Sequence, residues 1–196
     1  MLLFDLGGVL IDCTQFIKLL EWETWTNRMS DIEEKWRQSE TVRSYQRGMI
    51  GTKEFFETIS SDFDLTVNIA RFLREFRLLP KGLYPGADVL LNELSHKYIT
   101  ACFSNTNEMH WNKLRGVNKI DKYFKFCFPS HIIHEIKPDK EAYIYVIKAL
   151  GVQPDEIAFF DDSDANISAA KSIGMDAFLT KGISELCDNV SKLGIM

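Results

Sequence analysis

Short apolar runs alternate with helix-like segments over the C-terminal part of this sequence. From residue 86 onward, the apolar runs at 99–103, 126–128, 157–160 and 177–179 are separated by segments with helical periodicity or by turn residues. Strands that alternate with helices are typical of βαβ units, which build a parallel sheet. The pattern therefore predicts an α/β fold, with a Rossmann-like parallel sheet core and helices on both faces.

Residues 14–79 depart from this pattern, because helical signals dominate there and strand signals are few. Ser30 followed by Glu33 is a capping-box signature for one helix, and Thr52 is a candidate cap for another. We therefore expect a small four-helix cap inserted after the first strand. The predicted bounds are 14–79 for the helical cap, and 1–13 with 80–196 for the α/β core.

Composition and charge exclude several classes of protein. The 196 residues carry a net charge of −5 and contain no basic block, so nucleic acid is not an expected partner. No apolar run reaches the length of a membrane span and no signal peptide is evident, so we expect no membrane association and a cytoplasmic location. The four cysteines lack metal-ligand spacing and are expected to be free thiols in a reducing compartment. The oligomeric state stays open between a monomer and a homodimer.

The first apolar run, Leu2–Phe4, ends in an acidic residue. Asp5 follows the run directly and precedes Gly7 and Gly8, which are turn signals. A carboxylate at the end of a buried strand is costly to bury without a partner or a metal, and that end of a parallel sheet is where ligands bind. Asp5 is therefore a candidate functional residue, although a turn or capping aspartate fits this stretch alone equally well.

Polar residues also follow two other predicted strands. Ser104 and Asn105 end one strand, Asp161 and Asp162 end another, and Lys137 lies at a loop-to-helix junction. In a parallel sheet these side chains converge with the first aspartate on one edge. Three carboxylates in one pocket repel each other unless a cation is present, and Mg²⁺ prefers such oxygen ligands. A hydroxyl and an ammonium group suit phosphoryl oxygens, and an aspartate can be the nucleophile that forms an acyl phosphate.

Each of these residues also has an ordinary structural interpretation. Ser104 could cap a strand end, Lys137 could be an exposed lysine at a helix start, and Asp161 and Asp162 could cap the following helix. The functional interpretation rests on their combination and on their order along the chain.

The order of these motifs resembles that of the haloacid dehalogenase (HAD) superfamily over nearly the whole chain. The insert resembles the helical cap of the first subfamily. Within that subfamily the segments 45–48, 104–107 and 160–162 resemble the bacterial α-D-glucose-1-phosphate phosphatase group. The four motifs are, in order, Phe4–Leu10, Ser104-Asn105, Lys137-Pro138, and Phe159–Ser163 with Asn166.

The resemblance implies a Mg²⁺-dependent phosphatase acting on a small phosphorylated metabolite, expected to be a sugar phosphate such as a hexose 1-phosphate. It also implies a role for each matching residue. The implied metal ligands are Asp5, Gly7 through its backbone carbonyl, Asp162, and Asp161 as an indirect or alternative ligand. The implied phosphate-binding residues are Ser104, Asn105 and Lys137, and the implied catalytic residues are Asp5, the nucleophile, and Lys137.

One position departs from the family pattern. Most phosphatases of the superfamily carry a general acid two residues after the nucleophile, and here that position is Gly7. A positioned acid contributes about 10²–10⁴-fold to the rate. The leaving group could need little protonation, as an anomeric sugar oxygen does; another group such as His110 or a cap residue could replace the acid; or the protein could be catalytically weak. The candidate substrate-specificity residues are Tyr45, Arg47 and His110.

Two other functions remain as alternatives. A 2-haloacid dehalogenase also uses an aspartate nucleophile and needs no acid at the position of Gly7. It needs no metal, however, and Asp161 and Asp162 would then only add negative charge near Asp5. A non-catalytic phosphate-binding module is the other alternative, and the retention of the nucleophile and the lysine argues against it.

Overall fold

A sheet of parallel strands lies at the centre of the molecule. The computed structural model describes residues 1–13, 29–63 and 69–195. Its strands are β1 (Leu2–Phe4), β2 (Thr100–Ser104), β3 (Phe126–Pro129), β4 (Ala158–Asp161) and β5 (Asp176–Leu179). Their order across the sheet is β3-β2-β1-β4-β5, and every neighbouring pair is parallel. The predicted parallel α/β sheet is confirmed.

The middle strand β1 is buried on both faces. Leu2, Leu3 and Phe4 are each at most 2% exposed, and Phe4 is in register with Cys102 of β2 on one side and Phe160 of β4 on the other. A strand that is covered on both faces reads as a continuous apolar run, because neither set of side chains meets water. The residue that follows β1 therefore lies at the centre of the carboxyl edge of the sheet.

Helices follow β1 in the described part of the insert. They are α1 (Met29–Gln38), α2 (Glu40–Gln46), α3 (Thr52–Asp62) and α4 (Ile69–Leu78). Their buried side chains form an apolar cluster of their own, in which Trp36, Tyr45 and Phe76 surround Phe55. The bounds 14–79 stay a prediction, because residues 14–28 and 64–68 lie outside the described residues.

Two predicted helix caps are wrong. α1 already includes Met29, so Ser30 lies within the helix rather than before it. Gly51, not Thr52, is the N-cap residue of α3, and the hydroxyl of Thr52 lies 3.0 Å from the hydroxyl of Tyr45 instead. Side-chain type alone leaves helix boundaries uncertain by one or two residues.

Helices cover both faces of the sheet, as predicted. The remaining helices are α5 (Ala87–Lys97), α6 (Glu108–Gly116), α7 (Ser130–Ile133), α8 (Lys140–Leu150), α9 (Asp164–Ser172) and α10 (Gly182–Lys192). Leu91 and Leu114 pack in the same apolar cluster as Phe4, whereas Tyr143 packs with Leu3 on the other face. Within the described residues, no helix is long and apolar enough to cross a membrane.

Leu3→Ala is expected to lower the free energy of unfolding by about 2–5 kcal/mol, because it removes a fully buried side chain from the central strand and leaves a cavity. Urea denaturation followed by circular dichroism measures the change. Leu78→Ala is the matched control: Leu78 is 56% exposed, so its truncation should cost about 0.5 kcal/mol or less. Equal losses for the two variants would contradict the central position of β1.

Candidate active site

Three of the predicted site residues meet at the carboxyl edge of the sheet. Asp5 directly follows β1, and Ser104 and Asp161 end the two strands that flank it. The backbone N–H of Asp5 donates to the carbonyl of Phe160 at 2.8 Å, which extends the strand pairing by one residue. The strands themselves thus set the position of each side chain.

Lys137 joins two of these strand ends. Its Nζ lies 2.9 Å from Oδ1 of Asp5 and 2.6 Å from Oδ2 of Asp161, and it donates to the carbonyl of Phe103 at 2.8 Å. Lys137 is only 3% exposed, and a buried ammonium group is stable only with such partners. The alternative of an exposed lysine at a helix start is therefore wrong.

Asn105 holds the backbone of Lys137. Its side-chain Nδ2 donates to the carbonyl of Lys137 at 2.8 Å, and its Oδ1 accepts from the N–H of Lys137 at 2.9 Å. These two hydrogen bonds fix the loop that carries the ammonium group. The side chain of Asn105 thus supports the position of the lysine. Phosphate binding by Asn105 stays a prediction.

Asp161 is enclosed by hydrogen-bond donors. Its Oδ1 accepts from the backbone N–H of Ser163 and from the side-chain amide of Asn166, both at 2.9 Å, and its Oδ2 accepts from Lys137. Asp161 is 0% exposed, and both of its carboxylate oxygens have hydrogen-bond partners within the protein. Its indirect role toward a metal stays a prediction. Asn166 lies in the first turn of α9 and belongs to the fourth motif, and the sequence alone predicts no role for it in the site.

Asp162 differs from its neighbour, because it is half-buried and lines a cavity. Carboxylate oxygens of Asp5, Asp161 and Asp162 all lie within 4.8 Å of one another. A Cβ atom on Gly8, whose φ is +76°, would collide with the carboxylate of Asp162, so this close approach requires glycine. Carboxylate and backbone-carbonyl oxygens are ligands that Mg²⁺ prefers, and the cluster therefore fits a divalent cation.

The charges of this cluster are unbalanced. Burial raises the pKa of Asp5 to about 7, and Asp161 and Asp162 add to the rise while Lys137 opposes it. Burial and the charge of Asp161 also raise the pKa of Asp162, to about 6. Burial alone would lower the pKa of Lys137, but Asp161 and Asp5 raise it above its usual value, so the group stays charged. One ammonium group thus faces three carboxyl groups, and a bound cation would favour their ionised forms.

A cavity of about 940 Å³ opens above these residues. The core contributes Asp5, Gly7, Ser104, Lys137 and Asp162 to its lining. The helical insert contributes polar side chains of α1 and α2, namely Glu34, Arg37, Gln38, Arg43 and Gln46. The carboxylate cluster therefore faces a cavity between the sheet edge and the helical insert.

The cavity lining also includes cationic residues that the sequence did not predict, among them Lys181 and Arg43. Lys181 follows the end of β5 by two residues, so its position near a strand end is a sequence signal of the same kind as that of Asp5. Arg43 lies on α2, and nothing in its local pattern distinguishes it from a solvated surface arginine.

The three predicted specificity residues have other partners. Nη2 of Arg47 lies 2.5 Å from Oδ2 of Asp139, and Tyr45 and His110 line a second, smaller cavity of about 160 Å³. Nε2–H of His110 donates to the carbonyl of Phe76 at 2.7 Å, and burial lowers the pKa of His110 to about 4. A neutral imidazole in this position is not favoured as the replacement for the missing acid. The specificity roles of the three residues stay predictions.

Comparison with known proteins places the chain in a family. A family model described as haloacid dehalogenase-like hydrolase matches residues 1–174. The chain belongs to this family. The HAD resemblance is thereby confirmed, whereas the narrower resemblance to the glucose-1-phosphate phosphatase group stays a prediction.

Individual relatives have low sequence identity to this chain but align with most of its length. Flavin mononucleotide hydrolase 1 of Arabidopsis thaliana is 28% identical over 154 residues, which are 77% of this chain and 61% of that protein. The beta-phosphoglucomutase of Bacillus subtilis is 26% identical over 186 residues, which are 89% of this chain and 80% of that protein. A HAD family enzyme of Bacteroides thetaiotaomicron, solved in complex with magnesium and inorganic phosphate, has a TM-score of 0.72 at 27% identity, with 90% of this chain and 91% of that chain covered.

In the metal-free protein, the free energy of unfolding of the wild type minus that of Asp5→Asn is expected to fall as the pH rises from about 4 to about 7. The pKa of Asp5 is raised from 3.8 to about 7 in the folded state. The stabilisation that protonated Asp5 gives the folded protein is therefore fully present below the pKa of the unfolded state, and it is lost as the pH rises through the pKa of the folded state. The expected slope is up to about 1.4 kcal/mol per pH unit. Urea unfolding in EDTA at a series of pH values measures it.

Asp155→Asn is the control for this experiment, since it removes the same charge from an exposed position. It should show no comparable trend. A stability difference between the wild type and Asp5→Asn that does not vary with pH would contradict the raised pKa.

Proposed function

We propose that this chain is a Mg²⁺-dependent phosphatase that hydrolyses a small phosphorylated metabolite through an aspartyl-phosphate on Asp5. The observation that carries the proposal is the cluster in which Lys137 contacts Asp5 and Asp161 beside Asp162. A carboxylate nucleophile, a fixed ammonium group and ligands for a divalent cation are the parts that this kind of phosphoryl transfer needs. The Bacteroides enzyme, which holds magnesium and inorganic phosphate, supports the choice of metal and ligand.

In the proposed reaction a carboxylate oxygen of Asp5 attacks the phosphorus atom, and the bond from phosphorus to the leaving-group oxygen breaks. The leaving group takes a proton from water. A second water then attacks the phosphorus of the aspartyl-phosphate, which releases inorganic phosphate and a proton and restores the carboxylate. Lys137 and the hydroxyl of Ser104 bind phosphoryl oxygens throughout. Mg²⁺ held by Asp5, Asp162 and the carbonyl of Gly7 would offset the negative charge of the phosphoryl group.

Two features of the site favour a phosphorylated sugar, such as a hexose 1-phosphate, as the substrate. Gly7 offers no acid, and a Cβ atom on it would lie 3.3 Å from Sγ of Cys13, so a thiol already borders the space that an acid would need. An anomeric oxygen is a leaving group that needs little protonation. Polar side chains of the insert, among them Glu34, Gln38 and Gln46, offer hydrogen-bond partners for hydroxyl groups. The resemblance to the glucose-1-phosphate phosphatase group supports the same choice.

A metal-free 2-haloacid dehalogenase is the second candidate, because that reaction needs no acid at the position of Gly7. The raised pKa of Asp5 argues against it, since without a cation much of this carboxyl group would be protonated near pH 7 and unable to attack. A third candidate is a phosphate-binding protein without turnover.

The cellular setting is a further part of the proposal. All four cysteines are free thiols, which supports a cytoplasmic location. A small phosphorylated molecule is the proposed partner.

Phosphate release from glucose 1-phosphate, glucose 6-phosphate and p-nitrophenyl phosphate, each with Mg²⁺ and with EDTA, tests the proposal. The wild type is expected to release phosphate only with Mg²⁺, and faster from the 1-phosphate than from the 6-phosphate. Asp5→Asn removes the nucleophile and should reduce the rate by at least about 10³-fold. Asp155→Asn, at an exposed position outside the described cavity lining, is the matched control and should keep the wild-type rate.

The outcomes separate the three candidates. An absence of Mg²⁺-dependent release from every substrate would contradict the phosphatase. Chloride release from 2-chloropropionate in EDTA would then favour the dehalogenase, and phosphate binding without turnover would favour the binding protein. Faster release from the 6-phosphate would keep the phosphatase but contradict the preference for a sugar 1-phosphate.

A further inference from the structure

Asp139 joins the helical insert to the loop that carries Lys137. It lies two residues after Lys137 and is the N-cap residue of α8. Its Oδ1 accepts from Nη2 of Arg43 at 3.1 Å, and its Oδ2 accepts from Arg43 at 2.8 Å and from Arg47 at 2.5 Å. The three side chains are only 23% to 26% exposed, so solvent screens this cluster less than an ordinary surface ion pair.

The carboxylate of Asp139 does not make the local bond that its position offers. An aspartate at an N-cap ordinarily accepts from backbone N–H groups of the first helical turn. Asp139 makes no such side-chain bond, and both of its oxygens accept from α2 instead. The carboxylate therefore acts across the junction between core and insert rather than on its own helix.

The two arginines depend on this carboxylate. Arg43 lies on α2 and Arg47 is its C-cap residue, with helical backbone angles. Because the two are four residues apart, their guanidinium groups lie on one face of the helix and repel each other. One carboxylate between two cations leaves an excess positive charge beside the large cavity. Arg43 lines that cavity together with Asp5 and Lys137, and its ion pair does not use the N–H groups on Nε and Nη1.

Two further contacts dock the end of α2 on the same part of the core. Nδ1–H of His134 donates a hydrogen bond to the carbonyl of Arg47 at 2.7 Å. A Cβ atom on Gly48 would lie 2.5 Å from the carbonyl oxygen of His131, so the two backbones approach closely. The segment that leads to Lys137 is thus held by α2 on one side and by Asn105 on the other.

We propose that Asp139 is a positioning residue that fixes Arg43 at the roof of the cavity, where the guanidinium binds an oxygen of the leaving group beyond the phosphoryl site at Lys137. The same ion pairs hold α2 over the cavity and link it to the loop of the catalytic lysine. The assignment of a leaving-group contact rests on the proposed function, whereas the link between α2 and the loop does not.

Asp139→Asn tests the link, because it keeps the size of the side chain and removes its charge. In hydrogen exchange followed by mass spectrometry on the free protein, the variant is expected to exchange faster than the wild type in peptides spanning residues 40–48. Exchange of the same peptides in the wild type should rise with added NaCl, since salt screens partly exposed ion pairs. Asp155→Asn is the matched control and should leave the exchange unchanged.

Kinetics test the contact with the leaving group. With Mg²⁺ and glucose 1-phosphate, Arg43→Gln and Asp139→Asn are each expected to raise KM about tenfold, or about 1.4 kcal/mol, with a smaller change in kcat. Arg47→Gln should speed the exchange of α2 but raise KM less, because Arg47 is not part of the described cavity lining. Asp139→Glu should recover part of the wild-type KM. A merely structural role would lower stability without this separation of KM from kcat.

Unchanged exchange in Asp139→Asn would overturn the link between α2 and the loop. An unchanged KM in Arg43→Gln would overturn the contact with the leaving group. If the wild type turns over no phosphate ester, the proposed function fails, but the exchange experiment still decides the link. Calorimetric affinity for glucose 1-phosphate then decides the contact in place of KM.

Discussion

A buried ammonium group between two buried carboxylates is the interaction on which the rest of this structure depends. Lys137 lies 2.9 Å from Asp5 and 2.6 Å from Asp161. Taking these charges out of water is costly, and their attraction offsets the cost only when further hydrogen bonds hold the geometry. Asn105 supplies that support to the backbone of Lys137, and Asn166 supplies it to the carboxylate of Asp161. The loops after β2 and β4 are therefore organised around this ion pair.

The same arrangement leaves the site short of positive charge. Asp162 adds a third carboxyl group, and burial raises the pKa values of both Asp5 and Asp162. A free protein with such a cluster loses stability near neutral pH, and a divalent cation would restore it by favouring the ionised carboxylates. The unfavourable electrostatics of the free site and its affinity for a cation thus have one physical cause, as is common where function conflicts with local stability.

The local sequence pattern was sufficient to predict those site residues that are positioned by the end of a single strand. The strands β1, β2 and β4 are buried, so they read as apolar runs, and Asp5, Ser104 and Asp161 follow from where those runs end. The burial of Lys137 could not be predicted in this way, because its partners Asp5 and Asp161 lie at the ends of two strands that are distant from it in the sequence. The role of Asn105 became visible only in the fold, since it pairs with a peptide group 32 residues away. Arg43 and Asp139 are 96 residues apart, and neither carries a local signal for the other.

Calorimetric titration of Mg²⁺ and then of inorganic phosphate at pH 7.5, on the wild type and on Asp162→Asn, tests the central claim most directly. The account predicts that Mg²⁺ binds the wild type and strengthens phosphate binding, and that Asp162→Asn loses both effects because a carboxylate of the cluster is gone. Equal Mg²⁺ affinity in the two proteins, or no Mg²⁺ binding to the wild type, would contradict the claim that this cluster is a metal-dependent phosphate site.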